Sequence, residues 1–451
     1  MLRFTKSANE TIQFPIEGIQ KYGPYDYNTR KRSFDSIRVV FLYKHGTERE
    51  QLIKKINSRM CERFGYYKGL SSEFRLNSVV SEYIGYEDDE QVTALRDLKR
   101  HSIENSSTER TIVLVTGDDY KAFSDTEHYW LSKRILLKSG VPCQYLSGYR
   151  GSSGVGVLGQ NPDSNNFVYT IWNVVLSSYA KVGGVPWILK DTVAKDQSID
   201  AIAGIRFARD QSNVGDSKYV IGAVTVFGSY GLLYGVDAQK FLDTTEGGER
   251  YTSRSKGLYV SEKDSKKLAE IIVERYRDNE GESPKHVIIH RLGSYDNNEI
   301  SGLEEGLKNA GVEKYAFIEI FRGGNPRIFE IRNEKASSVR RGLVLNMSDN
   351  SSLICTTGDQ RYKFRDDIKQ PKHYMGTPVP ITANIRVSNN SINDPMIVAK
   401  NIFNLTGLHW GCGWSQEIQL PITLDFAHKI ARLYANGVIP HDNLRNTSWF
   451  L

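Results

Sequence analysis

Short, almost wholly apolar segments recur along this chain, each answered by a stretch with apolar residues at helical intervals. That alternation limits the possible folds more than any other feature. SIRVVFLY (36–43) precedes EREQLIKKINSRMCERFG, and TIVLVTG (111–117) precedes EHYWLSKRILLKSG (127–140), which closes on Gly140, a helix C-cap signal. VPCQYLSG (141–148) then reads as a short strand, and the polar stretch EDDEQVTALRDLKRHSIENSSTE (87–109) has helical spacing. Strands that are apolar throughout and alternate with helices predict a parallel α/β layer of Rossmann-like type.

A Gly/Ser/Asn-rich segment, GYRGSSGVGVLGQNPDSNN (148–166), reads as a loop, and FVYTIWNVVLSSYAKVGG (167–184) as a long apolar helix closed by two glycines. A second unit is expected from about Val185. It opens with AIAGIRFA and continues with YVIGAVTVFGSYGLLYGV (219–236), which divides into consecutive strands at a Gly-Ser turn signal. The helix KKLAEIIVERYRDNEG (266–281), the strand HVIIHRLG (286–293), the helix EISGLEEGLKNAG (299–311) and the strand KYAFIEIF follow. Strands in series, then a helix and another strand, suit an RNase H-like sheet. Periodicity alone leaves other mixed α/β folds open.

At 451 residues the chain is long for one hydrophobic core, so two domains are the expectation. With 39% hydrophobic and 25% charged residues it has the composition of a globular protein, with no apolar run long enough for a membrane helix and no signal-peptide pattern. Its four cysteines, Cys61, Cys143, Cys355 and Cys412, form no CxxC pair, which argues against a zinc site or disulfide framework and fits a reducing cytoplasm. Charge is unevenly spread. Between 131 and 190 the basic residues Lys133, Arg134, Lys138, Arg150, Lys181 and Lys190 face a single acid, Asp163, so this window carries +5 of a net +6. Such a concentration is the footprint of a polyanion ligand or, on the plainer reading, a solvated cationic face.

Within that window, Tyr129 and Lys133 lie at i and i+4 on one helix face, Gln144 sits on the next element, and Lys181 ends the later helix. Two ammonium groups, a phenol and an amide oxygen make a sensible shell for a terminal phosphate: the lysines supply charge, Tyr129 donates a hydrogen bond and can stack on a base, and Gln144 can ligand a hard cation. No P-loop, HExxH or GxSxG frame competes; the glycines of GSSGVGVLG lack the strand-to-helix context of a phosphate cradle.

YxxxK, then Gln after a GVP turn, then AKVGGVPW resembles the MID-domain pocket of Argonaute proteins, which binds a guide strand's 5′-phosphate. WNVVLSSYAKVGGVPW (172–187) resembles the stretch running from the pocket lysine into the PIWI domain. GIQKYGPYDYN (18–28) resembles the segment entering MID, and LTGLHWGCGWSQEIQLPITLDFAHKIARLYANG (405–437) the C-terminal part of PIWI. The resemblance implies a short prokaryotic Argonaute: an N-terminal segment (1–35) packing on the domains, a Rossmann-like MID domain (36–185) and an RNase H-like PIWI domain (186–451), with no stretch for N-terminal and PAZ domains. It implies that Tyr129, Lys133, Gln144 and Lys181 bind the guide 5′-phosphate. Mg²⁺ or Mn²⁺ would lie between guide phosphates, held by Gln144 and the Leu451 carboxylate; the apolar ending TSWFL suits a buried terminus.

Slicing Argonautes hold two divalent metals with three acids and a fourth Asp or His. At the aligned strand tips this chain has Arg206 and Leu292; His428 falls where the fourth ligand would be, or is a surface or capping histidine. Asp210 and Asp296 each sit four residues past the expected positions, so a shifted register is a strained rescue. An arginine repels a divalent cation and a leucine offers it no oxygen. The resemblance therefore implies a nuclease-inactive sensor, loaded with an RNA or DNA guide, recognising a complementary strand, DNA by preference. It would activate an effector encoded nearby (NAD-consuming, nuclease or membrane-active) in defence against plasmids or phage. An active metal-dependent guided endonuclease with a non-standard acidic set, and a scaffold that holds no guide, are the rival expectations.

Overall fold

The computed structural model describes residues 2–5, 14–29, 32–87, 90–101, 108–117, 127–148, 156–190, 198–210, 219–242, 258–332, 334–358, 379–413 and 418–451. Of the sequence features above, residues 88–89 and 102–107 of the polar helical stretch, Arg150, most of GSSGVGV and all of WSQE (414–417) fall outside them. The chain groups into two compact units that interleave along the sequence. Residues 2–188 are joined by 410–414 and 437–451, and residues 189–409 by 415–436.

The first unit contains β1 (Leu2–Arg3), α1 (Pro15–Tyr22), β2 (Ser36–Lys44), α2 (Thr47–Cys61), α3 (Leu70–Phe74), β3 (Ser78–Tyr86), α4 (Gln91–His101), β4 (Glu109–Thr116), α5 (Glu127–Lys138), β5 (Cys143–Leu146), α6 (Phe167–Lys181) and, at its boundary, β6 (Ile188–Leu189). Its main sheet is fully parallel, in the order β3-β2-β4-β5. Ile37 and Val39 to Leu42 on β2, and Ile112 to Leu114 on β4, are wholly buried on both faces, which explains why these strands read as unbroken apolar runs. β3, an edge strand, is half-exposed along most of its length; its mixed sequence SVVSEYIGY gives no such run.

Helix α6 is largely apolar because all but Tyr169, Thr170 and Asn173 of its residues are buried, including Trp172 and Tyr179. Tyr67 meets Trp172 edge-on at 5.1 Å, and Phe74 stacks on Tyr179 at 4.4 Å. Gly183 ends the helix at φ +98°, a conformation that side chains other than glycine resist. The buried carboxyl of Asp26 accepts bonds from Tyr179 Oη (2.5 Å) and Val185 N (2.9 Å), which ties GPYDYN to the end of α6. The returning C-terminal segment is anchored by His441 N to the Leu137 carbonyl (2.8 Å) and by buried Trp449 and Phe450.

The second unit contains β7 (Ala201–Arg209), β8 (Tyr219–Gly228), β9 (Leu233–Leu242), α7 (Glu262–Glu280), β10 (His286–Leu292), α8 (Asn297–Asn309), β11 (Lys314–Phe321), β12 (Phe329–Arg332), β13 (Lys335–Ser338), β14 (Val344–Ser348), β15 (Ser351–Ile354), β16 (Ile381–Asn389), α9 (Pro395–Leu405) and α10 (Ile422–Ala435). The large sheet runs β14-β15-β16-β11-β10-β7-β8-β9. β7, β8 and β9 form an antiparallel meander, and β10 and β11 add in parallel on the other side of β7. Within the large sheet, the run β9-β8-β7-β10-β11 is an RNase H-like arrangement.

The pleat divides this sheet between two covers. Ala201, Ala203 and Ile205 of β7, with Val287 and Ile289 of β10, pack into the core formed with α7 and α8. The alternate residues, Gly204 and His290 among them, face α10. A Cβ on Gly204 would lie 2.2 Å from the Thr423 carbonyl oxygen, so only glycine lets β7 and the start of α10 approach this closely.

Candidate functional site

In the first unit, α5 places Tyr129 and Lys133 on one face, with the Lys133 ammonium 5.8 Å from the Tyr129 ring centre. That ring meets Trp130 and Tyr145 edge-on, at 4.9 and 5.6 Å. Lys133 is buried, and its Nζ donates to the Cys143 carbonyl at 2.7 Å, the residue before Gln144 on β5. Gln144 Oε1 accepts from Ser177 Oγ (2.8 Å) on α6. One helical turn beyond Ser177 comes Lys181, fully buried, whose Nζ donates to the Trp449 carbonyl at 3.3 Å. Leu451, two residues on, is half-buried.

The structure thus gives three separate contacts: Lys133 on the Cys143 carbonyl next to Gln144, Gln144 on Ser177, and Lys181, one turn beyond Ser177, on the Trp449 carbonyl, with Tyr129 against Lys133. Sequence reasoning missed Ser177 and the Trp449 carbonyl. Ser177 lay at the i−4 position to Lys181 within SSYAK, which was the available signal. Elsewhere in the basic window, Arg134 and Lys138 are exposed, and Asp163 is committed to Lys55 and to Arg59 (2.9 Å). The arrangement suits an anion. Burying an ammonium is costly, and here α5 and α6 each bury one.

In the second unit, β7 and β10 are parallel neighbours with Ile205 beside Arg291, so the next residues are Arg206 and Leu292. Leu292 ends β10, but Arg206 is not at the tip of its strand as expected, because pairing with β8 carries β7 on to Arg209. Both belong to the α10 face. There Arg206 Nη2 lies 3.2 Å from His428 Nδ1. Burial lowers the Arg206 pKa to about 10; Asp425 opposes this, and Arg291 and Arg322 reinforce it. At neutral pH it remains a cation. Burial, then the Arg206 charge, hold His428 below the ordinary histidine value. Burial alone would raise Asp425, but the His409 hydrogen bond and Lys429 hold its carboxyl below the usual range.

Two residues before Leu292, His290 is buried; its Nδ1 meets Thr423 Oγ1 at 2.9 Å, and burial drops its pKa to about 3. Arg291 points to the opposite face. It pairs with buried Glu299 through Nε (3.0 Å) and Nη2 (3.2 Å), and its Nη2 also donates to the Leu258 carbonyl at 2.8 Å. The two acids of the shifted register are engaged elsewhere. Asp210 accepts from Lys240 at 2.5 Å, and Asp296 caps α8 in a capping box with Glu299. Among the described residues, no group of three or more His, Cys, Asp or Glu side chains is placed to hold a metal ion. No described helix is long and apolar enough to cross a membrane.

Comparison with known proteins gives a consistent set of relatives. The Piwi domain profile matches residues 157–438. The chain is 24% identical over 324 residues to the protein argonaute of Aquifex aeolicus, covering 72% of this chain and 38% of that protein. It is 29% identical over 191 residues to the Piwi-like protein Siwi of Bombyx mori, covering 40% and 20%. Among solved structures, Clostridium butyricum Argonaute bound to a guide DNA and a 19-mer target DNA superposes with a TM-score of 0.65 at 19% identity, covering 97% of this chain and 53% of that one. Aa-Ago with externally bound siRNA gives 0.60 at 18% identity, covering 100% and 55%. The chain therefore spans about half the length of these structures and less of the curated relatives.

Proposed function

Since the chain belongs to the Piwi-domain family of Argonaute-type proteins, we propose that it anchors a 5′-phosphorylated guide strand, RNA or DNA, in its first unit. It then recognises a complementary strand, DNA by preference, without cutting it. The observation that carries this reading is the pair of buried ammonium groups, Lys133 and Lys181, each held on a carbonyl oxygen, with the Gln144–Ser177 hydrogen bond formed by a neighbour of the Cys143 carbonyl and a residue one turn before Lys181. A terminal phosphate would add anionic acceptor oxygens beside the two buried lysines, with Tyr129 closing the shell.

Gln144 Oε1 already accepts one bond and keeps a second lone pair. One neutral oxygen beside two ammonium groups is not a cation site by itself. Mg²⁺ or Mn²⁺ fits only as a companion of the guide phosphates, with Gln144 and the Leu451 carboxylate contributing, and it would screen the phosphates' mutual repulsion. Sequence is read by base pairing, and the protein contributes charge and shape.

On β7 and β10 Arg206 and Leu292 stand where the resemblance places metal-binding acids, and neither side chain can ligand a metal. A chain that recognises without cutting must pass its signal on. An effector of the NAD-consuming, nuclease or membrane-active kind, released by a shift in this chain's conformation or assembly, is the output in prokaryotic defence that the family resemblance supports.

The test is guide loading by Lys133→Met combined with Lys181→Met, which keeps the stems' packing and removes the charges. Affinity for a 5′-phosphorylated oligonucleotide should fall by roughly tenfold or more, as expected for lost charge-assisted hydrogen bonds, with little change for the 5′-hydroxyl form. Equal losses for both strands would reduce the lysines to general backbone contacts and sink the anchor.

A further inference from the structure

β7 carries, three residues before its end, a cationic side chain with one donor that the fold leaves unmatched. Arg206 Nη2 meets His428 Nδ1, whereas Nη1 is buried with no hydrogen-bond partner. A guanidinium can only donate, so His428 Nδ1 accepts and its ring proton sits on Nε2. Two N–H donors, the buried Arg206 Nη1 and His428 Nε2, thus come from β7 and α10. The adjoining strands offer no acceptor: Ala223 pairs with Arg206 on β8, and Leu292 lies beside it on β10. The nearest acid on α10, Asp425, forms an ion pair with Lys429 at 3.0 Å. A buried donor without an acceptor is a standing cost that a ligand oxygen would remove.

We propose that Arg206 and His428 together hold one phosphodiester of the target strand, so that β7 and α10 clamp nucleic acid at the place where a cutting relative would hold its metals. The inference rests on the guided-binding reading above. Its chemistry is specific: a planar guanidinium fork and an imidazole N–H address non-bridging phosphate oxygens and carry no base information, so the clamp positions any sequence equally. The clamp is a binding device and requires no metal or bond breakage.

Single methylphosphonate linkages, neutral and walked along the target strand, test this on the guide-loaded protein. In the native chain one linkage should stand out, weakening target binding by roughly tenfold to a hundredfold, the range for a lost hydrogen bond to a charged group. Arg206→Met, which keeps the side-chain stem, should lose the same factor with unmodified target and be indifferent to that linkage. His428→Ala should lose a smaller factor at the same linkage. Guide loading, measured on each preparation, reports that the first unit is intact. Native target affinity in Arg206→Met, or an undiminished methylphosphonate penalty in that variant, overturns the clamp alone. A native chain that loads no guide overturns the guided reading and the clamp with it.

Discussion

At the scale of single residues, burial rather than sequence neighbours sets the chemistry. His290 is held neutral, with its pKa near 3, because no charge partner offsets its desolvation. The unfolded chain would take up a proton near pH 6.5, so the native state binds fewer protons through the window from about 6.5 down to about 3. Stability contributed by His290 is therefore complete above that window and lost as pH falls through it, by at most about 1.4 kcal/mol per pH unit. Asp26 has the opposite sign: burial raises it to about 6 despite the bonds from Tyr179 and Val185, so its contribution declines as pH rises from 3.8 to about 6. His290→Gln, which can still bond Thr423 Oγ1, should flatten the fall in stability between pH 6.5 and 4 while leaving the Asp26 effect in place. Urea unfolding at a series of pH values measures it, and parallel curves for native and variant would refute it.

At the scale of elements, the candidate clamp depends on how closely α10 approaches β7. Gly204 and Thr423 are in near contact, and Thr225 Oγ1 adds a bond to the same Thr423 carbonyl at 2.8 Å. Gly204→Ala forces that carbonyl away and shifts His428 relative to Arg206. We expect a loss of about 1–3 kcal/mol in unfolding free energy, typical of overpacking, and weaker target binding with unchanged guide loading. Native stability in denaturant would show that the approach has slack. The neighbouring Arg291 illustrates the pleat's authority over residue roles. It lies one position before Leu292, yet points to the other face and locks β10 to α8 through Glu299. An RLG turn offers no sequence sign of that division; the partner lies eight residues on, inside a helix.

For the whole molecule, the expected behaviour is recognition without scission. Incubated with a 5′-phosphorylated guide, a matched target and Mg²⁺ or Mn²⁺, the protein should retain the target intact. A single defined cut, abolished by changing an acid of the second unit, would restore the endonuclease reading. Much of the fold was legible in advance because strands with parallel neighbours and buried centres carry apolar runs, as β2, β4, β7, β10 and β11 do at their centres. The half-exposed edge strand β3 and the peripheral strands β12 to β15 were not legible. Their side chains answer to solvent and short local pairings, and so carry no strong period.

The candidate site divides the same way. The sequence, through the family resemblance that its motifs carry, marked Tyr129, Lys133, Gln144 and Lys181 as one set and put a cation on β7, because residue type and spacing are local properties of the chain. Only the tertiary structure decided that both lysines are buried, that Ser177 bonds Gln144 and the Trp449 carbonyl receives Lys181, and that Arg206 leans on His428 with one donor unmet. Desolvation and hydrogen-bond partners are set by what other segments bring within about 3 Å, and the sequence does not write that distance down.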